Sequence, residues 1–417
     1  MISKDRISQV IFDYASRIGG AEDLDALLEL NAGMARDLVG ADRCSIWLMD
    51  AKTNRLWTKV AQGIETIYIP MGQGVVGACV ERNETILVND TSRDHRFLHR
   101  VDDQSGYVTR SILTIPLHGS DGNPIGALQV LNKPDGFAQE DVDLLGLSSA
   151  YSASALEAQR LRAEAEVARL MLRELEIARN VQQRLLPQSP PSIAELDCAG
   201  YCRPAKFVGG DYYDFLPMPG GGLLFTLGDV SGKGIAAAVL MAGIQASLRS
   251  QVLKPPESMA DLMNHFNKAV YSFSTADKYS TLFCGLFDAG SRKLTYVNAG
   301  QVAPMLLRVD GTVSRLDVGG FPVGLLEIAQ YEQGEVSLAP GDAVVCFSDG
   351  ISEATNEKED MWEEADVERV LRECHGLTAQ QIIDRLVTAA DAFAGQAEQA
   401  DDMTVVALRA VSGRTAR

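Results

Sequence analysis

The sequence predicts an α+β protein in which two globular domains are joined by a long helix. The first half alternates helical and strand patterns, and the stretch from Asp141 to Leu186 contains no proline and a single glycine. Strand patterns then dominate the second half. The length of 417 residues suits two or three domains of roughly 100–200 residues each. We expect domains at residues 1–157 and 191–411, with a helical linker at residues 158–190.

Composition excludes several classes of protein. The net charge is −18 and the pI is about 4.8, whereas binding to nucleic acid or to an anionic membrane needs clustered Lys and Arg. The N-terminus lacks the apolar core of a signal peptide, and no run approaches the ~20 apolar residues of a membrane helix. Seven scattered cysteines indicate a reducing compartment. We therefore expect a cytoplasmic protein that binds neither nucleic acid nor membranes.

Cysteine and histidine patterns give little support for a zinc or haem site. Cys198 and Cys202 are close in sequence, but no second Cys or His pair completes a zinc site. His95 and His99 share one loop, where solvated side chains are a simpler interpretation than haem or metal ligands.

The first domain is predicted to be a single antiparallel sheet with helices. Residues 6–40 have helical periodicity. Cys44–Asp50 alternates like a strand, and Leu56–Ala61 is its predicted hairpin partner. Met71–Asp90 predicts a glycine-rich loop, a short helix and a strand, and Ser111–Lys133 predicts two strands joined by a turn.

This half resembles a GAF domain. The resemblance rests on GQGVVG at Gly72–Gly77, on the strands SILTIPL and GALQVLNK, and on the helix that begins near Gln139. It implies either a sensor of a small ligand or a dimerisation module.

Part of a nucleotide-related motif follows the second of these strands. Asn132, Lys133, Phe137 and Asp141 match the NKFDE pattern of cyclic-nucleotide-binding GAF domains, but Val142 stands where the final Glu is expected. A strand end followed by a helix cap would give the same residues. The sequence leaves both interpretations open.

The linker has the composition of a coiled coil. It is rich in Ala, Glu, Leu and Arg, and Val167, Leu170, Ile177 and Val181 form a heptad-like seam that Glu174 interrupts. A continuous helix of this length exceeds what globular domains usually contain. We expect a two-stranded coil that makes the protein a parallel homodimer. The alternative is a single charged helix that only separates the two domains.

The C-terminal half is predicted to be a two-sheet sandwich flanked by helices, because many antiparallel strand patterns alternate with few helical ones. The strand candidates are Gly222–Val230, Ser280–Asp288, Lys293–Gly300, Ala303–Val309, Asp342–Asp349 and Met403–Arg409. The helical runs are Ile235–Leu248, Met259–Tyr271 and Asp366–Phe393.

Acidic turns recur at the ends of these strands. VVCFSDGISEAT at Val344–Thr355 is a buried strand that delivers Asp349 to a glycine turn. Similar acid-bearing turns occur at Gly209–Asp214, Leu227–Gly234 and Asp401–Leu408. One such turn would be unremarkable, since Asp and Gly are ordinary turn formers. Four of them in series predict a common acidic site.

The chemistry that suits such a site is that of hard divalent cations. Mg²⁺ and Mn²⁺ prefer carboxylate oxygens and water, and carboxylates gathered without cations repel one another. Two ions ~3.5–4 Å apart can activate a water molecule and neutralise phosphate oxygens. No Ser-His-Asp or Cys-His set is evident in the sequence. We therefore expect hydrolysis by a metal-activated water rather than by a covalent nucleophile.

The second half resembles the PPM-type Ser/Thr phosphatases of the SpoIIE/RsbU class. The motifs VGGDYYDF, GDVSGKGIAAA, NAGQVAP, FPVGLL, FSDGISEA and DDMT occur in the order of that class, and IARNVQQRLLPQSPP resembles its leader helix. The resemblance covers residues 175–410.

The resemblance implies a set of ligands for two Mn²⁺ or Mg²⁺ ions. They are Asp211, Asp229, the carbonyl group of Val230, Asp349 and Asp401, with Asp402 as the second choice for the last position. Asp214 has no clear counterpart. Gln301 is a departure, because many relatives have His after the Asn-Ala-Gly turn, and substrate contacts are where this difference would act.

The implied function is removal of phosphate from Ser or Thr of a partner protein. The usual substrate in this class is a phosphorylated anti-sigma-factor antagonist of the STAS fold. The implied control is through the GAF domain and the coil, which would reposition the leader helix.

Two rival interpretations exist. A diguanylate cyclase would need Glu-Phe where Tyr212-Tyr213 stand, and a non-catalytic signalling scaffold would use the same fold only for binding.

Overall fold

The computed structural model describes residues 4–21, 23–50, 52–58, 66–100, 102, 106–254, 256–275 and 277–412. The chain forms two compact units, and the division lies between Leu170 and Met171. No helix in these ranges is both long enough and apolar enough to cross a membrane.

The first unit is built on one six-stranded antiparallel sheet with the strand order β3-β2-β1-β6-β5-β4. Its strands are β1 (Arg43–Asp50), β2 (Arg55–Thr58), β3 (Ile67–Pro70), β4 (Ile86–Val88), β5 (Ile112–His118) and β6 (Pro124–Leu131). Its helices are α1 (Lys4–Ile18), α2 (Leu24–Val39), α3 (Gly74–Arg82) and the beginning of α4 (Gln139–Leu185). The predicted single sheet is confirmed. Of the predicted hairpin partner of β1, residues 59–61 lie outside the described residues.

Helix α2 shows why this unit packs as it does. Asp23 caps its first turn by accepting a 2.8 Å hydrogen bond from the Ala26 N–H, and Gly40 ends it with φ at 71°. Its apolar face, with Leu28 and Met34 buried, contributes to the same core as Leu128 of β6. The core of the unit therefore lies between the sheet and its helices.

Helix α4 is continuous over 47 residues. This confirms the predicted long helix. The predicted seam residues Val167, Leu170, Ile177 and Val181 are 50–58% exposed in the single chain. The pairing of two such helices stays a prediction.

The second unit contains two antiparallel-rich sheets. One has the order β14-β11-β10-β9-β8, with β15 also paired to β11, and the other has the order β13-β12-β16-β17-β7. The strands are β7 (Leu196–Arg203), β8 (Tyr212–Pro217), β9 (Leu223–Val230), β10 (Ser280–Asp288), β11 (Lys293–Ala299), β12 (Met305–Leu307), β13 (Val313–Arg315), β14 (Gly319–Gly320), β15 (Gly334–Ser337), β16 (Ala343–Phe347) and β17 (Met403–Ala410). The helices are α5 (Ile235–Gln251), α6 (Met259–Phe273), α7 (Asp349–Ser352), α8 (Glu364–Arg372) and α9 (Ala379–Ala394).

Three buried clusters define four layers in this unit. Phe225 and Phe283 of one sheet share a core with Cys346 of the other. Helices α5 and α6 cover the outer face of the first sheet, and α8 and α9 cover that of the second. The order is helix, sheet, sheet, helix, which agrees with the predicted sandwich.

Two details of the sequence prediction were wrong or incomplete. The run Asp366–Phe393 is not one helix, because Gly376 adopts φ of +74° and Thr378 begins a new helix with a capping box to Gln381. The prediction also missed six strands, which are β3, β7, β8, β13, β14 and β15. The residues around Gly209–Asp211 were interpreted as a turn, and β8 begins directly after it.

Candidate active site

The ends of four strands bring the acidic loops together. Asp211 immediately precedes β8, and Asp229 is the second-last residue of the adjacent strand β9. Asp349 lies two residues beyond β16, and Asp401 and Asp402 directly precede its neighbour β17. Strands β8 and β9 are antiparallel neighbours, and so are β16 and β17, so the start of one strand lies beside the end of the other. The acids of each strand pair therefore lie at the same edge of their sheet. A hydrogen bond of 2.7 Å from the Gly210 N–H to Asp402 Oδ2 joins the loops of the two sheets.

Asp211 is buried without full compensation. Its side chain is 3% exposed, and its Oδ2 atom has no hydrogen-bond partner among the described residues. Burial raises the pKa of this carboxyl group well above its usual range, and the charge of Asp229 raises it further. A carboxylate in this position needs a positive charge that the neighbouring side chains do not supply.

The other acids repel one another as well. Burial raises the pKa of Asp229 to about 7, with further contributions from the charges of Asp349, Asp401 and Asp402. Burial also raises the pKa of Asp349, and the charge of Asp401 adds to that effect. The mutual repulsion shows that these side chains form one electrostatic cluster rather than four separate turns.

Asp402 is occupied by backbone donors. Its Oδ1 accepts a 2.8 Å hydrogen bond from the Ala205 N–H, and its Oδ2 accepts from Gly210 at 2.7 Å and from Asp211 at 3.4 Å. Its carbonyl group accepts a 3.0 Å bond from the Ser348 hydroxyl. Asp402 therefore holds the loops in place, a role that the sequence did not reveal.

Asp401 has a different environment. Its side chain is 35% exposed, and its Oδ2 lies 2.8 Å from Lys233 Nζ, which also donates to the Ala400 carbonyl. The charge of Lys233 lowers the pKa of both Asp229 and Asp349. Lys233 lies within the GDVSGKG motif, but its role as a counter-charge could not be predicted from that motif.

Glycines allow the backbone to approach the acids. A Cβ atom on Gly210 would lie 2.8 Å from the Val230 carbonyl oxygen and 3.3 Å from Asp229 Oδ1. A Cβ atom on Gly350 would lie 2.1 Å from the carbonyl oxygen of Asp402. These positions exclude any side chain, and they keep the Val230 carbonyl group beside the predicted metal ligands.

The donor set fits hard divalent cations in kind. Within the described ranges, no three acidic, His or Cys side chains already converge on one common ion position. The cluster nevertheless offers carboxylate and carbonyl oxygens only, which Mg²⁺ and Mn²⁺ prefer and soft metals do not. The buried, unpartnered Oδ2 of Asp211 is the observation that best fits a bound cation.

Gln301 joins strands of both sheets near the acids. Its side-chain carbonyl accepts a hydrogen bond from the Thr281 hydroxyl, and its amide nitrogen donates to the Phe347 carbonyl at 3.4 Å. Ser280 in turn donates to the Asp229 carbonyl at 2.9 Å. Gln301, the residue at which this chain differs from many relatives, is therefore buried and holds β10 to the end of β16.

Asp214 serves the fold instead. It is 1% exposed and forms an ion pair with Arg249 of α5, with 2.7 Å between Arg249 Nε and Asp214 Oδ2. The hydroxyl of Tyr212 donates to the same carboxylate. This pair fastens α5 to β8.

The partial nucleotide motif of the first unit is a structural clip. Lys133 Nζ lies 2.5 Å from Asp141 Oδ1, and the other carboxylate oxygen accepts a 2.9 Å bond from the Ala138 N–H. The contacts connect the end of β6 to the start of α4. They give Lys133 and Asp141 a structural role.

The first unit also contains a small, mostly apolar cavity. Its volume is about 90 Å³, below the ~300 Å³ at which small-molecule pockets usually begin. Trp47 and Gln129 are among its lining residues, and the buried Trp47 Nε1 has no hydrogen-bond partner among the described residues. His95 and His99 belong to no metal-binding group in the described part of the chain.

The helix–sheet–sheet–helix layers and the acidic loops at matching strand ends define the class of PPM, or PP2C-type, phosphatases. The SiaA-PP2C domain of Pseudomonas aeruginosa has the same fold, with a TM-score of 0.53 and 21% identity over 59% of this chain and 99% of that domain.

Sequence comparisons give the family. Residues 219–411 match the family described as Stage II sporulation protein E (SpoIIE), and residues 23–156 match the GAF domain. Phosphoserine phosphatase RsbU of Bacillus subtilis is 30% identical over 57% of this chain and 70% of its own length. Protein IcfG of Synechocystis is 27% identical over 54% of this chain and 39% of its own length. The chain belongs to the SpoIIE/RsbU-type serine/threonine phosphatases of the PPM class and carries a GAF domain ahead of the phosphatase domain.

Proposed function

We propose that the protein removes phosphate from Ser or Thr of a partner protein and that it needs two Mn²⁺ or Mg²⁺ ions to do so. The observation that carries this proposal is the buried carboxylate of Asp211, which has an unpartnered oxygen and lies beside Asp229 in a cluster of repelling acids. Such a cluster is costly unless cations bind to it.

We propose Asp211, Asp229, the Val230 carbonyl group, Asp349 and Asp401 as the residues that hold the ions. Asp401 is preferred to Asp402 because both carboxylate oxygens of Asp402 already accept backbone hydrogen bonds, whereas Asp401 carries only the exchangeable contact with Lys233 and one bond from the Asp402 N–H.

Bound divalent ions would supply an acidified water molecule and positive charge for the phosphate oxygens. The chain itself contributes the positions of the acids. Asp402 fixes the Gly210 backbone, Ser348 fixes the loop before β17, and Ser280 fixes the Asp229 carbonyl. Lys233 balances part of the negative charge at the exposed side of the cluster.

For the substrate we propose a phosphorylated antagonist protein of the STAS type. The name of the Bacillus subtilis relative, phosphoserine phosphatase RsbU, supports phosphoserine as the substrate residue. The strongly acidic chain is also consistent with a protein substrate rather than a nucleic acid.

For regulation we propose that a small ligand bound by the GAF domain and pairing of α4 helices between two protomers act on the phosphatase through α4. The match of residues 23–156 to the GAF domain and the exposed seam residues of α4 support this. Removal of residues 1–160 should change phosphate release or the half-saturating Mn²⁺ concentration. If both remained as in the full chain, regulation through α4 would be wrong.

Pairing of the α4 helices is tested separately. Light scattering of Ile177→Glu should show monomers where the wild type gives dimers.

The enzymatic proposal is tested by hydrolysis of p-nitrophenyl phosphate and of a phosphorylated STAS protein with Mn²⁺. We expect activity that EDTA removes, and a loss of about 1,000-fold in Asp349→Ala, since metal-ion catalysis supplies several kcal/mol. Asp310→Asn is the matched control, because Asp310 is an exposed acid of the β12–β13 turn. An inactive wild type that still binds the phosphorylated protein would favour the non-catalytic scaffold.

A further inference from the structure

The acids of the candidate site are carried by two different sheets. Asp211 and Asp229 adjoin β8 and β9 of the first sheet, whereas Asp349 and Asp401 adjoin β16 and β17 of the second. The core between the sheets is apolar, and apolar contacts are non-directional. A functional site needs its groups placed to within about 0.5 Å. Directional contacts between the two sheets are therefore needed to supply that precision.

Gln301 makes such a contact, in addition to the bond between Gly210 and Asp402. Its side-chain carbonyl accepts a hydrogen bond from the Thr281 hydroxyl of β10, and its amide nitrogen donates to the carbonyl of Phe347, the last residue of β16, at 3.4 Å. The residue is only 7% exposed. One buried amide group thus connects the first sheet to the second, which requires a donor and an acceptor on the same side chain.

Both partners of Gln301 are neighbours of acids. Thr281 lies directly opposite Asp229 in the β9–β10 ladder, and its hydroxyl is 3.4 Å from the Asp229 carbonyl oxygen. Phe347 precedes Asp349 by two residues. The side chain of Gln301 therefore links the strand beside Asp229 to the strand that leads into Asp349.

The backbone of Gln301 is itself fixed. Asn298 Oδ1 accepts a 2.8 Å hydrogen bond from the Gln301 N–H, and Asn298 Nδ2 donates to the Gln301 carbonyl at 3.0 Å. Gly300 adopts φ of +76°, and a Cβ atom at that position would lie 2.7 Å from Pro322 Cγ. Because the turn is held in this way, the bonds of the Gln301 side chain constrain both strands that it reaches.

We propose that Gln301 is a positioning residue that holds Asp229 and Asp349, on opposite sheets, at the separation needed to bind the metal ions. This inference rests on the proposed function, and it assigns Gln301 to metal binding rather than to contact with the substrate. Residues that orient metal ligands typically contribute about 10–100-fold to metal affinity.

The test uses the full chain with Gln301→Met, Thr281→Val, Gln301→His and the control Gln330→Leu, at about pH 8, where imidazole is neutral. Gln301→Met keeps the length of the side chain but removes its donor and its acceptor. Thr281→Val removes only the hydroxyl group that donates to Gln301. Neutral imidazole has one donor and one acceptor, so Gln301→His can restore both contacts. Gln330 is an exposed glutamine of the same unit.

Calorimetry measures Mn²⁺ binding, and amide hydrogen exchange of residues 228–231 and 347–350 is measured with EDTA. We expect about tenfold weaker Mn²⁺ binding and about tenfold faster exchange in Gln301→Met and in Thr281→Val. Gln301→His should bind Mn²⁺ within about threefold of the wild type, and Gln330→Leu within about twofold. At saturating Mn²⁺, the KM for p-nitrophenyl phosphate should stay within about twofold of the wild type in both Gln301 variants.

Unchanged Mn²⁺ affinity or unchanged exchange in Gln301→Met would overturn the inference. A Gln301→His variant that binds Mn²⁺ as weakly as Gln301→Met would do the same, and so would a raised KM with unchanged Mn²⁺ affinity, which would make Gln301 a substrate contact. If the wild type binds no Mn²⁺, the proposed function fails, and exchange alone decides whether Gln301 holds the two strands. If Gln301→Met does not fold, Thr281→Val carries the test.

Discussion

Asp141 in the first unit and Asp211 in the second are equally buried, each with 3% of its surface exposed. Asp141 receives an ion pair from Lys133 and a backbone hydrogen bond from Ala138. Asp211 has one oxygen without a partner, and burial and the charge of Asp229 raise its pKa by more than the hydroxyl groups of Thr404 and Ser348 lower it. The first carboxylate is satisfied within the chain and serves the fold. The second is left unsatisfied, which is what a binding site for cations requires.

The comparison predicts opposite effects of the same substitution on stability. In EDTA at pH 7.5, Asp141→Asn should lower the free energy of unfolding by about 2 kcal/mol, because it removes hydrogen bonds to a buried charge. Asp211→Asn should raise it by about 1 kcal/mol, because a neutral amide relieves burial and repulsion. Scanning calorimetry of both variants measures the difference. Two shifts of the same sign would show that the two acids do not differ in this way.

A smaller effect is expected from pH. The pKa of Asp229 is about 7 in the folded chain, above its usual range, so the folded state keeps a proton that the unfolded state has already lost. The free energy of unfolding of the metal-free protein should therefore fall by about 2 kcal/mol between pH 5 and pH 7. Below the unfolded pKa the penalty is absent, and above pH 7 it is complete.

Asp229→Asn removes this carboxyl group, and with it the repulsion that Asp229 exerts on Asp211. The wild type should lose stability relative to Asp229→Asn as the pH rises. Parallel curves for the two proteins would contradict the raised pKa, and a wild type that gained stability relative to the variant would reverse its sign.

Local patterns predicted most strands and the acidic site, because apolar alternation and glycine turns are short-range signals. Asp229 and Asp349 each stand at the end of a predicted strand, whereas Asp211 was recognised from its glycine turn and the aromatic residues after it. The role of Asp402 could not be predicted, since its partners Ala205 and Gly210 lie 197 and 192 residues away in sequence.

The same limit applies to Gln182 of α4, which is buried and exchanges two hydrogen bonds with the backbone of Gly209, 27 residues away in sequence. The helical pattern of the sequence around Gln182 predicts only an exposed polar side chain. The break within Asp366–Phe393 was missed for a different reason. Gly376 and Thr378 are typical of a helix end and a helix start, but the helical patterns on both sides led to the prediction of one continuous helix.

Direct titration of the metal-free chain with Mn²⁺ tests the central claim of a cation site built from distant acids. Calorimetry of the wild type should show two Mn²⁺ ions bound per chain, and Asp211→Asn or Asp349→Ala should lose at least one of them. The exposed control Asp310→Asn should bind as the wild type does. A wild type that binds no Mn²⁺, or binding that survives both substitutions unchanged, would contradict the account.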